Sequence, residues 1–184
     1  MKKLIAVCFC LCICLGVNAQ KSVPEIKVGS NLYCTAIVSG QEFPLLLTVK
    51  TLSAPYSMAW SVEGYGDGSF ETSAKAFESG DQFAQVSQPA LGVTKLNDNQ
   101  TFFTISKAAF KSLSDTKSFT YSGAKFKLKT PESAAVKING KDADTFHVIS
   151  EDGKMEFWIL NNADFPLIVQ SSGLATDIIV TEIK

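Results

Sequence analysis

After position 20 the apolar residues recur at every second position, not at every third or fourth. Leu32, Cys34, Ala36 and Val38 share one parity, Phe43, Leu45, Leu47 and Val49 form a second set, and Tyr56, Met58, Trp60 and Val62 a third. Side chains alternate across a pleated strand, so each set predicts a half-buried strand. Ser39-Gly40 and Ala54-Pro55 punctuate the sets, and Gly64-Tyr65-Gly66-Asp67-Gly68 closes the third with a loop of turn formers. The simplest arrangement of the three is a meander.

Residues 72–79 predict a short helix, with Thr72 or Ser73 as N-cap, Ala74, Ala76 and Phe77 inside and Gly80 at its end. Residues 81–99 are less regular: Gln88-Pro89-Ala90-Leu91-Gly92 interrupts them, and Asn97-Asp98-Asn99 reads as a tight turn into Thr101-Phe102-Phe103-Thr104-Ile105. Ser106 is placed to cap a second helix over residues 107–113, whose Phe110 and Leu113 face one side. The remainder is a run of hairpins. Phe119-Thr120-Tyr121 meets Phe126 and Leu128 across Ser122-Gly123, with Lys125, Lys127 and Lys129 on the outward parity. Val136-Lys137-Ile138 turns at Asn139-Gly140 into Phe146-His147-Val148-Ile149, because Asn-Gly supplies the two positive-φ positions of a tight hairpin. Residues 155–160, 165–170 and 174–183 supply the last strands. The expected fold is α+β, mainly β: a strongly curved antiparallel sheet, an open half-barrel, covered by short helices in a single β-rich domain over residues 20–184.

The tail carries a resemblance. Glu156-Phe157-Trp158-Ile159-Leu160, then Phe165-Pro166-Leu167-Ile168-Val169, then Asp177-Ile178-Ile179-Val180-Thr181-Glu182-Ile183 resembles the closing strands of the periplasmic lipoprotein-localisation carrier superfamily, over roughly residues 125–184. The resemblance implies an open half-barrel of antiparallel strands under helices and, as in several members, acyl chains held in the concavity. The carrier itself uses an arginine in its lid region and this chain has none, so the expectation is the fold and not lipoprotein trafficking. The pattern is also similar to exported proteins of Bacteroidetes-type bacteria.

The first residues predict an address. Met1-Lys2-Lys3 is a positive start, residues 4–17 are an uninterrupted run of apolar residues, cysteines and one glycine, and Val17-Asn18-Ala19 supplies a small-residue cleavage signal before Gln20. That run is shorter than the ~20 residues a bilayer-crossing helix needs, so residues 1–19 read as a signal peptide. Lipidation at Cys14 is the alternative, although Ile13 stands where lipoprotein signals usually carry Gly, Ala or Ser. The expectation is an exported protein, periplasmic or at the cell surface or secreted, with no transmembrane segment after signal removal. Cys8, Cys10, Cys12 and Cys14 lie within the signal, which leaves Cys34 and no disulfide framework within one mature chain.

Composition narrows the partners. At 46% apolar and 19% charged, the 184 residues have enough hydrophobic content for a core. All 17 bases are Lys, and without a guanidinium fork nucleic-acid recognition is not expected. Removing residues 1–19 takes away two lysines and no acid, leaving 15 lysines against 18 acids and a net charge of -3.

Candidate chemistry is sparse. His147 is the one histidine, which excludes paired-His zinc motifs. Asp142 and Asp144 are near it, but strand alternation points it away from both. Cys34 belongs to an alternating apolar face, where desolvation suppresses the thiolate. Gly64 to Gly68 lacks the strand–loop–helix context of a phosphate cradle. No cofactor or metal site assembles. The aromatic and apolar excess is the stronger signal: Tyr56, Met58, Trp60, Val62, Phe157 and Ile159 are the candidate lining of an apolar concavity. At ~0.8 kcal/mol per buried CH₂, an acyl chain there reaches micromolar binding without a catalytic group. The function expected is therefore a non-enzymatic binding protein of the cell envelope that holds a hydrophobic ligand, lipid or acyl, or binds an envelope protein partner. The alternative is a cavity-free envelope or surface interaction module, and a hydrolase using Cys34 or carboxylates stands third.

Overall fold

A computed structural model describes residues 21–86, 88–130 and 135–184. The expected signal peptide over residues 1–19, with its four cysteines, lies outside them. The described chain is mainly β, at 51% strand and 10% helix.

In chain order the elements are β1 (Asn31–Val38), β2 (Gln41–Thr51), β3 (Tyr56–Val62), β4 (Gly66–Thr72), α1 (Ala74–Ser79), β5 (Gln82–Phe83), β6 (Gly92–Lys95), β7 (Gln100–Thr101), α2 (Lys107–Thr116), β8 (Ser118–Tyr121), β9 (Ala124–Leu128), β10 (Lys137–Ile138), β11 (Lys141–Asp142), β12 (Thr145–Ser150), β13 (Glu156–Leu160), β14 (Ile168–Ser172) and β15 (Asp177–Ile183). Eleven strands form one sheet in the order β6-β4-β3-β2-β1-β15-β14-β13-β12-β9-β8. Two meanders, β1 to β4 and β12 to β15, are joined where β15 pairs antiparallel with β1, and every neighbouring pair is antiparallel except β4 and β6. No sheet is strongly curled. The sheet stays open, with β6 and β8 as its two edges, and the hollow described below lies between one face and the segments that cover it.

The alternation in the sequence becomes one continuous apolar face. Leu32, Leu47 and Trp60 lie opposite one another across β1, β2 and β3, Val49 opposes Met58, and Met58 opposes Phe70. On the other side of β1, Cys34 pairs with Val180 and Ala36 with Ile178. Register then carries the same face through Ser171, Phe157 and Val148 to Phe126 and Phe119. All these residues but Ser171 are buried apolar side chains. The opposite face bears Ser57, Ser61, Lys127 and other half-buried or exposed residues.

The cover is made of the two helices and the segments around them. Ser73 caps α1 by accepting from the Ala76 N–H at 3.2 Å, and Ser106 caps α2 by accepting from the Ala109 N–H at 3.3 Å. Helix α2 runs to Thr116, beyond the apolar stretch that predicted it, because the Thr116 hydroxyl donates to the Ser112 carbonyl and Lys117 ends the helix in a left-handed conformation. Ala109, Phe110 and Leu113 of α2 are buried with Phe83, Phe119, Phe126, Phe157 and Ile159.

Four expectations are corrected, the first being the loop over Gly64 to Gly68, of which Gly66, Asp67 and Gly68 belong to β4 and pair with Val62, Ser61 and Trp60. The Asn139-Gly140 turn forms with φ of 54° and 74°, but it joins only β10 to β11. The strand carrying Phe146 begins afresh in the large sheet, because the chain between them is held by Ala143, whose N–H donates to Val136 and which bridges Ser22. Residues 102–105 leave the strand geometry after Thr101 and lie across the sheet, with the Ile105 N–H donating to Pro166 and the Ile168 N–H donating to Phe103. Finally, β6 returns parallel to β4, through a crossover that contains α1, where the sequence showed only irregularity.

A candidate apolar binding hollow

One hollow of about 270 Å³ lies between the β1–β2 and β3–β4 hairpins, and Val86, Gln88, Pro89, Phe102 and Phe103 close it from above. Ala36, Val38, Phe43 and Leu45 form one wall, and Trp60, Val62, Tyr65 and Phe70 the next. Val86, Gln88, Pro89, Phe102, Phe103 and Thr176 complete the described lining. Six of these fourteen residues are aromatic and none is Lys, Asp, Glu or His.

The aromatic walls are built by register and by the 102–105 segment. Phe70 stacks on Phe102 with centroids 4.0 Å apart, Phe102 meets Phe103 at 4.3 Å, and Trp60 meets Tyr65 at 5.9 Å. The segment that delivers Phe102 and Phe103 is pinned at its start, where the Thr101 hydroxyl lies 2.8 Å from the Tyr121 hydroxyl. Burial pushes that phenol up to about 12, so it stays a neutral hydrogen-bonding group. Two further bonds fix the roof: the Tyr65 hydroxyl donates to the Pro89 carbonyl at 2.9 Å, and the Thr176 hydroxyl donates to the Val86 carbonyl at 2.6 Å.

Trp60 lies flat over β4 because its cross-strand partner is Gly68. A Cβ at position 68 would sit 2.9 Å from Trp60 Nε1 and 2.6 Å from the Gly92 carbonyl oxygen, closer than atoms tolerate. The indole N–H is buried and meets no hydrogen-bond acceptor among the described residues.

The six residues named from the sequence share this face, but only two of them share this hollow. Trp60 and Val62 line it. Tyr56 and Met58 lie beyond the Phe70–Phe102 stack, around a gap of only about 20 Å³, where Tyr56 stacks on Phe77 of α1 at 3.9 Å. Phe157 and Ile159 are fully buried under α2, with Phe157 between Phe83 and Phe126 at 5.0 Å from each. Alternation identifies a face; it does not say which part of that face a helix fills. Phe43 and Leu45 were legible as strand residues but not as lining. Tyr65, Phe102 and Phe103 were missed, although an aromatic between two glycines and a Phe-Phe pair outside any alternation are the features that set them apart.

The polar candidates separate. Cys34 is buried, its thiol pushed up to about 12 by desolvation, on the covered face of β1. His147 is on the opposite face of β12. Four strand spacings separate β1 from β12, on the order of 19 Å, so the two form no dyad. His147 instead stacks on Trp158 at 4.0 Å and 11°, and its Nε2 lies 2.8 Å from Glu156 Oε2. Lys129 donates to both oxygens of the same carboxylate at 2.8 and 2.9 Å. Lys129 foremost, with His147 assisting, holds the Glu156 carboxyl below the usual range. Asp142 pairs with Lys137 at 2.7 Å and Asp144 accepts from Asn161 at 3.0 Å, so neither joins His147. Among the described residues no group of three His, Cys, Asp or Glu is placed to hold a metal ion, and no helix is long and apolar enough to cross a membrane.

Comparison with family models, with curated proteins and with solved structures found no match to this chain.

Proposed function

We propose that the protein is an exported, non-enzymatic binding protein of the cell envelope that holds the apolar part of a small ligand in the hollow between its first four strands. The observation that carries this reading is the lining itself, six aromatic rings and no charged side chain around about 270 Å³. An engineered apolar cavity of about 150 Å³ takes up benzene, so this one has room for a ring with a short substituent or a single short alkyl chain. The resemblance of residues 156–183 to the closing strands of lipoprotein-localisation carriers points the same way. A hydrolytic reading has less support, since Cys34 is desolvated and lies far from His147.

The test is a chain-length series. In a Trp158→Phe background Trp60 is the remaining indole, and its emission reports on the hollow. Titration with straight-chain alcohols is expected to give saturable changes, with affinity rising roughly fourfold per methylene, the equivalent of ~0.8 kcal/mol, until the hollow is full, and then levelling off. Val38→Phe together with Val62→Phe, which fills the space from two walls, is expected to shorten the chain at which the plateau falls. The absence of any saturable change, with an unchanged melting temperature at every chain length, would overturn the proposal.

A further inference from the structure

The hollow has a polarity. Trp60 and Phe70 are buried at its floor, whereas Phe43 and Tyr65 are 39% and 46% exposed at its mouth. Leu91, which packs against Gly66 at the β3–β4 turn, extends the rim beside Tyr65. A ligand whose apolar end reaches the floor leaves its other end beside two half-exposed aromatic rings.

The charges on the two hairpin tips beside that mouth have one sign. The hairpin tips that supply Phe43 and Tyr65 carry exposed Glu42, Glu63 and Asp67 and no lysine over residues 36–45 and 60–70. The roof residues Val86, Gln88 and Pro89 are uncharged. Glu42 and Asp67 leave their strands on the parity opposite to the hollow, so they contribute to the field at that end of the molecule and are not contacts. Ring faces carry negative quadrupole potential and favour a cation above them. An anionic head group would meet neither a positive partner nor a neutral field, and burying it unpaired is costly.

Resting on the binding reading above, we infer that the occupant is a cationic amphiphile: an ammonium or quaternary ammonium head at the mouth, against Phe43 and Tyr65, with its alkyl or aryl portion in the hollow. The ring faces supply the short-range selection and the three acids the long-range one, so the preference for positive charge weakens as salt rises.

Three probes with the same tail decide it. Calorimetric titration at low salt with octyltrimethylammonium, octanol and octanoate, each below its micelle concentration, is expected to place the ammonium several-fold tighter than the alcohol and the alcohol several-fold tighter than the carboxylate. High salt is expected to compress the order. A Glu42→Gln, Glu63→Gln, Asp67→Asn variant, whose substitutions are all at exposed positions, should bind octanol as before and narrow the gap between ammonium and carboxylate. Tyr65→Leu should reduce ammonium binding more than alcohol binding. Octanoate binding as tightly as octyltrimethylammonium, or tighter, would overturn the head-group inference and leave the hollow as an apolar site. Failure of all three to bind would overturn the hollow's role as well.

Discussion

At the scale of single residues, neighbours in sequence do different work according to which side of a strand they leave. Cys34 and Tyr33 are neighbours, yet Cys34 sits in the core and Tyr33 is exposed under the Lys184 ammonium, 4.9 Å from its ring. The Cys34 thiol donates to the Leu32 carbonyl at 3.5 Å, and desolvation raises its titration to about 12. Thiolate, not thiol, reacts with disulfide reagents. Cys34 is therefore expected to stay silent toward an aromatic disulfide reagent in mildly alkaline buffer and to react fully once denaturant opens the sheet. Prompt labelling of the native protein would contradict its placement. This inertness was legible, because the apolar neighbours at 32 and 36 settle the environment of position 34. The site of Trp60 was only half legible: alternation puts the indole on the covered face, but that it lies flat depends on Gly68 across the strand pair, which no local pattern reveals.

At the scale of elements, β9, β12 and β13 are tied on the face opposite the hollow by one ionic cluster. Lys129 just beyond β9, His147 on β12 and Glu156 on β13 meet at a single carboxylate, and Trp158 covers the imidazole. The Glu156 carboxyl is held below its ordinary value mainly by Lys129, so its folded-state pKa lies below its unfolded one. A group of that kind contributes stability that is present above the unfolded value of about 4.3 and is lost as pH falls through the folded value. Lys129→Met should therefore shift the acid edge of the stability profile, read as the urea midpoint against pH, toward higher pH. An acid edge that does not move would show that Lys129 is not what sets it. The caps and hairpins of these elements were open to reading in the sequence: Ser73, Ser106, Ser122-Gly123 and Asn139-Gly140 all act locally. Residues 102–105 were not, since their conformation is imposed by Pro166 and Ile168, more than sixty residues along the chain. The parallel return of β6 beside β4 is of the same kind, a contact chosen by the crossover and not by the four residues that make it.

At the scale of the whole molecule, one apolar face is covered unevenly. Helix α2 lies on the side of β8, β9, β12 and β13, and its Phe110 and Leu113 fill the space above Phe157 and Ile159. The side of β1 to β4 is covered farther out by Val86, Gln88, Pro89, Phe102 and Phe103, and there the hollow remains. Periodicity identified the face and could not identify the order of its strands, because β15 meets β1 across nearly the whole length of the chain and parity is silent about neighbours. The uneven cover makes stability and binding separable. Phe157→Ala removes a ring from a fully packed site and should cost about 3–5 kcal/mol in urea unfolding, while leaving the alcohol series at Trp60 unchanged in the protein that remains folded. Filling the hollow through Val38 and Val62 should do the reverse, altering the alcohol series with a smaller effect on unfolding, since both side chains are only half-buried. A folded Phe157→Ala protein that lost its response to alcohols would place the binding site beneath α2, and the division of labour across the sheet would have to be redrawn.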